Sequence, residues 1–193
     1  SIRSATLGQG KGGDIEINTG SLSLMDGARI FTVTQSQGED AGQGGNLTIN
    51  ASESVELIGV GIPPGSNRAR NTSLQARTLG DGDAGDLTVN TRQLILRDGG
   101  ILSTTNCGSG AVSRCGTAQS GTLRINASEF IELSGTPDIE DPSLSPSGVY
   151  SQSLLDGDGG DIFVETRRLI IRDGAEIAAA TEETSSGAGG NVT

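Results

Sequence analysis

Apolar and polar residues alternate in short runs along this chain, the period of a strand rather than of a helix. The runs recur in a fixed order, three to a repeat. In the first, Ile15/Ile17, Leu47/Ile49, Leu87/Val89, Leu123/Ile125 and Ile162/Val164 share one face. In the second, Leu22/Leu24, Val55/Leu57, Leu94/Leu96, Ile131/Leu133 and Leu169/Ile171 do so. The third run alternates between two forms. One places Ala28, Gly100 and Ala175 before Ile30, Leu102 and Ile177; the other places Ile2, Leu74 and Val149 before Ser4, Ala76 and Ser151. The inward set is therefore large on two sides and small or hydroxylic on the third, which suits a narrow three-sided tube.

Aligned on the residue after a glycine, the repeats start at Asp14, Asn46, Asp86, Thr122, Asp161 and Asn191, at intervals of 32, 40, 36, 39 and 30 residues. Periods of this size mark stacked arrays. One flavour reads GDLTVNTRQLILRDGG and the other GNLTINASESVELIG. Three strands per repeat, like stacked on like, predict an all-β parallel β-helix. Its rungs would be 14–45, 46–85, 86–121, 122–160 and 161–190, with partial rungs at 1–13 and 191–193. The chain reads as a single segment of a longer rod, or as a unit whose ends stack in a fibre.

Two corner signals accompany the strands. Asn18, Asn50, Asn90 and Asn126 close the first run in four successive repeats before Glu165 breaks the series. Asn tolerates left-handed backbone and can bond its neighbours above and below, so an Asn ladder is expected there. The pairs Asp26-Gly27, Asp98-Gly99 and Asp173-Gly174 mark a second corner, with glycine supplying positive φ. Insertions fall at VGIPPGSNRARN, at TPDIEDPSLSPSG and at a loop containing Cys107 and Cys115. In solenoids such insertions carry surface individuality. The two cysteines fit a local disulfide and an oxidising compartment, or two free thiols.

Composition narrows the function. Gly is 31 of 193 residues and aromatics are 2 %, too slim a set for an ordinary globular core. Net charge is −11, with one Lys and no His, which opposes nucleic acid and anionic membranes. No apolar run approaches the length of a membrane span, so membrane insertion is not expected.

The phrases GGDIEINTGSLSLMDGARI, GGNLTINASESVELIG and AGDLTVNTRQLILRDGG resemble the repeats of cyanobacterial filamentous-haemagglutinin-type exoproteins, and the resemblance covers essentially the whole chain. That family consists of large secreted or cell-surface proteins, exported by two-partner secretion and built as right-handed β-helices. The resemblance implies a non-enzymatic structural or adhesive rod at the extracellular surface. It would self-associate into fibres or stack, or hold a cell-surface or glycan ligand. It carries over no catalytic residue and no cofactor.

Two sites compete with that reading. Asp81, Asp83 and Asp86 match Asp156, Asp158 and Asp161 one double repeat later, and oxygen clusters of this kind can hold Ca²⁺. The simpler reading is a solvated turn, and the equivalent corner at Gly8–Asp14 carries Lys11 instead of acids. The second site belongs to an alternative function, a polysaccharide-acting β-helix enzyme of lyase or glycosidase type. Glu56 and Glu132 sit outward on equivalent strands two rungs apart, a spacing that an inverting pair tolerates. The lack of Trp leaves little to stack on a sugar. Phe31, Val33, Ile95, Ile101 and Ile170 read as outward apolar residues, either a patch for lateral association or a surface covered by an insertion.

Overall fold

The computed structural model describes residues 1–38, 40–106, 118–139, 141, 143–153, 156–181 and 186–193. Among these there is no helix, and the chain alternates between two parallel sheets. The first sheet stacks β1 (Ile2–Thr6), β3 (Arg29–Thr34), β7 (Ser73–Thr78), β9 (Ile101–Asn106), β11 (Gly148–Ser153) and β14 (Glu176–Thr181), in that order. The second stacks β2 (Ile15–Met25), β4 (Leu47–Ile58), β8 (Leu87–Arg97) and β10 (Leu123–Ser134). Beyond β10 lie β12 (Ile162–Thr166) and β13 (Leu169–Arg172), both paired with it. Spatial order follows chain order in both sheets, so each strand pairs with its own equivalent in the adjacent repeat. This topology is compatible with a solenoid.

The first two predicted runs are not separate strands in most repeats. They form one long strand with a register shift between Thr19 and Ser21, between Asn50 and Ser54, and between Ala127 and Phe130. The repeats that read Ala-Ser-Glu here have one residue more than those that read Thr-Gly or Thr-Arg, and the extra residue is taken up as a bulge. A bulge bends the strand without ending its ladder, so the sheet order counts two strand stacks per repeat. Only in the last repeat does the strand divide, into β12 and β13.

The inward rows are those the alternation marks. Leu47, Ile49, Val55, Leu57, Leu87, Val89, Leu94 and Leu96 are fully buried in one continuous core with Ile30, Leu74, Leu102 and Val149 from the opposite sheet. Part of the inner face of the first sheet is polar. Thr104 donates to the Ser151 hydroxyl at 2.9 Å, Asn106 to that of Ser153 at 2.7 Å, and Thr34 to the Gly42 carbonyl at 2.9 Å. These buried groups satisfy one another and the corner backbone, which offsets the cost of enclosing them.

Glycine recurs before each repeat for a steric reason. A Cβ on Gly45 would strike the carbonyl of Gly13; on Gly85, that of Gly45; on Gly121, that of Gly85; and on Gly160, that of Gly121. The backbone stacks on itself at this corner with no space for a side chain. The opposite corner is a tight turn. Ala28 donates to the Met25 carbonyl at 3.0 Å and Gly100 to that of Arg97 at 2.9 Å. Asp26, Asp98 and Asp173 all have φ near +54° (53°, 53° and 54°), followed by glycines at 75°, 99° and 81°. Two successive positive φ values are the signature of a type I′ turn, so Asp as well as Gly adopts left-handed backbone.

Candidate functional site

The outward surface separates into columns, each built by the sheet register. Asn18, Asn50, Asn90 and Asn126 are direct register partners. Asn50 donates its amide to Asn18 Oδ1, Asn90 to Asn50 Oδ1 and Asn126 to Asn90 Oδ1, each at 2.8 Å. The left-handed backbone expected of these residues is absent: they lie in extended strand, facing outward, and among the described non-glycine residues only the three turn aspartates have positive φ. The alternation explains this, since Ile17, Ile49, Val89 and Ile125 point inward immediately before them.

A second column consists of carboxylates, and each accepts a backbone N–H from the adjacent rung. Asp14 accepts from Asn46 at 2.7 Å, Asp86 from Thr122 at 2.8 Å and Asp161 from Asn191 at 2.8 Å. Asn46 holds the same place, its Oδ1 accepting from Asp86 N at 3.0 Å. One step along the corner, Asp83 accepts from Gln119 at 2.9 Å and Asp158 from Ala188 at 2.7 Å. Asp81 accepts from Gly38 at 2.7 Å, and Asp156 from both the backbone and hydroxyl of Ser186. The backbone bond from Asn191 holds the Asp161 carboxyl below its usual range, with the Asn191 side chain adding to it. The six acids proposed for Ca²⁺ thus serve as rung-to-rung acceptors. Among the described residues no group of three acidic, His or Cys side chains converges in a metal-binding arrangement. A shallow groove of about 320 Å³ runs along this corner, lined by Lys11, Asn46, Asp83, Asp86 and Gln119. Cys107 and Cys115 lie outside the described residues.

Glu56 and Glu132 occupy outward positions on either side of Ile95, on three adjacent strands. Glu132 is not free to act as an acid. Arg172 reaches it at 2.7 Å and Arg97 at 3.0 Å, and the Arg172 hydrogen bond is the main reason its carboxyl stays below the usual carboxylate range. A general acid needs the opposite shift.

The outward apolar residues are less exposed than their pattern implies. Val33 and Ile101 are buried at 3 % and 6 % exposure, and Phe31, Ile95 and Ile170 are half-buried. Phe31 is flanked by two guanidiniums, Arg29 at 5.1 Å and Arg77 at 5.0 Å from the ring centre. Arg3 pairs in register with Phe31, and Arg70 comes from the short hairpin of β5 (Val60–Gly61) and β6 (Arg70–Asn71). None of these four arginines has a carboxylate within ion-pair distance among the described residues. Burial pushes the Arg29 guanidinium down to about 10, with Arg77 and Arg70 contributing. Arg77 is lowered too, first by burial and then by Arg70 and Arg3. The sequence reading missed this patch. Its only linear signal is Arg29 two residues from an outward Phe; the rest requires the register between β1, β3 and β7.

Compared with known proteins, the chain matches no family model, no curated protein and no solved structure. Among the described residues no helix is long and apolar enough to cross a membrane.

Proposed function

We propose that the chain is a section of a non-enzymatic structural or adhesive rod, a right-handed parallel β-helix with three strands per rung in which the bulged strand supplies two sides. Right-handedness follows the rule for parallel crossovers. The observation that carries the reading is the Asn18–Asn50–Asn90–Asn126 column, because side chains stacked rung upon rung have a use only in an axially repeating structure. The filamentous-haemagglutinin resemblance adds the setting, a secreted exoprotein at the cell surface. Nuclear Overhauser contacts in the purified chain test the architecture. Contacts between the side-chain amides of Asn50 and Asn90 and of Asn90 and Asn126 are expected; their absence would refute it.

A further inference from the structure

The arginine patch on β1, β3 and β7 is out of place in a chain of net charge −11. Arg3, Arg29, Arg70 and Arg77 lie together without a carboxylate among the described residues, although the chain has 24 acidic residues against 13 basic ones. Three arginines elsewhere in the chain are paired: Arg97 and Arg172 share Glu132, and Arg92 holds Glu129. Nε of Arg29 and Nε of Arg77 are buried without a hydrogen-bond partner. Half-buried like charges raise the free energy of the folded chain unless an anion meets them. Arginine's planar fork matches a carboxylate or a phosphate.

The complementary surface is on the same molecule but on another face. At the acidic corner Asp83, Asp86, Asp158 and Asp161 each use Oδ1 for a backbone N–H, and Oδ2 has no hydrogen bond among the described residues. Asp83 and Asp158, and likewise Asp86 and Asp161, lie two repeats apart, about 10 Å along the stack, while Arg29, Arg3 and Arg77 step diagonally across adjacent strands. The two surfaces are therefore complementary in charge. We propose that the arginine patch of one copy docks on the acidic corner of a second copy, a lateral contact between rods that rests on the β-helix reading above. Patch and corner differ, so the contact is heterologous and extends instead of closing into a dimer. Nucleic acid fits poorly, because its dense charge would extend past the patch onto a surface of its own sign.

Complementary variants test this by sedimentation velocity. R29Q/R77Q removes the two half-buried guanidiniums at the centre of the patch. D83N/D86N/D158N/D161N removes the charge of the corner but keeps the backbone acceptors, as Asn46 shows in the same column. The unaltered chain is expected to form a concentration-dependent ladder of species at low salt that dissolves at high salt, since exposed ion pairs are screened. Each variant alone should stay monomeric with its melting temperature retained. Mixed in equal amounts they should form one species of doubled mass, because one good patch meets one good corner and nothing remains to extend. An unaltered chain that is monomeric at low salt would overturn the proposal, even if it bound inorganic sulfate or polyglucuronate at the patch. So would association persisting in either variant, or a mixture that fails to pair. A monomer that still shows the Asn50–Asn90 and Asn90–Asn126 side-chain contacts would separate this failure from failure of the stacked architecture.

Discussion

Two parts of the surface contrast in how they are made. The glycine and aspartate corner is rebuilt in every repeat, with Gly13, Gly45, Gly85, Gly121 and Gly160 stacked and an Asp or Asn oxygen tying most rungs to the next. The arginine face is made once, from Arg3, Arg29 and Arg77 at non-equivalent positions of stacked strands and Arg70 on the hairpin. What recurs in each rung is what stacking requires; what occurs once and is left uncompensated is free to serve recognition. The outer face of β8, β10 and β13 lies between these extremes, since Arg97, Glu132 and Arg172 also occur once but satisfy one another.

If the corner is scaffold, its disruption should cost the most. In G121A the new Cβ meets the Gly85 carbonyl, which is backbone and has no rotamer through which to yield. A loss of about 3 kcal/mol is expected, the range of forced overpacking. Chemical denaturation should show an earlier midpoint with unchanged slope. A G121A chain as stable as the original would mean that the glycine column reflects composition and not contact.

The paired arginine face should respond next. E132Q leaves Arg97 and Arg172 facing each other without their shared anion, a loss of about 1 kcal/mol for a partly exposed ion pair. The pH dependence gives the sign. The Glu132 carboxyl is held below its unfolded value, so its contribution is complete above that value and disappears as pH falls through the folded one. Melting curves of the original and of E132Q should therefore converge on acidification. A gap that stays constant would assign the loss to packing.

The contrast also explains which features the sequence discloses. The inward rows are legible because alternation with a fixed repeat leaves one solution: Leu47, Leu87 and Leu123 must stack if Ile49, Val89 and Ile125 do. The Asn column is legible for the same reason, but its backbone is not. Asn propensity points to left-handed turns, whereas the neighbouring inward Ile and Val fix Asn18 to Asn126 in extended strand, and Asp26, Asp98 and Asp173 take the positive φ. The merging of two runs into one bulged strand is hidden because bulge and corner both consume one extra residue. The arginine patch is hidden because Arg3 and Arg77 are 74 positions apart and meet only through the register on either side of β3.

The smallest effect separates the charge of the corner from its hydrogen bonds. Asp86 accepts from Thr122 N at 2.8 Å, and Asn46, its neighbour in the column, makes the same bond with an amide oxygen. D86N should leave the melting temperature unchanged, because the acceptor survives and only a solvated charge is lost. D86A should lower it slightly, since the Thr122 N–H then depends on water. Differential scanning calorimetry on the two variants distinguishes these roles. Equal destabilisation by both would mean that the negative charge itself matters to folding, and the corner would then need a cation to explain it. A silent D86N leaves the charge free for a contact outside the chain, which is the use the arginine patch requires of it.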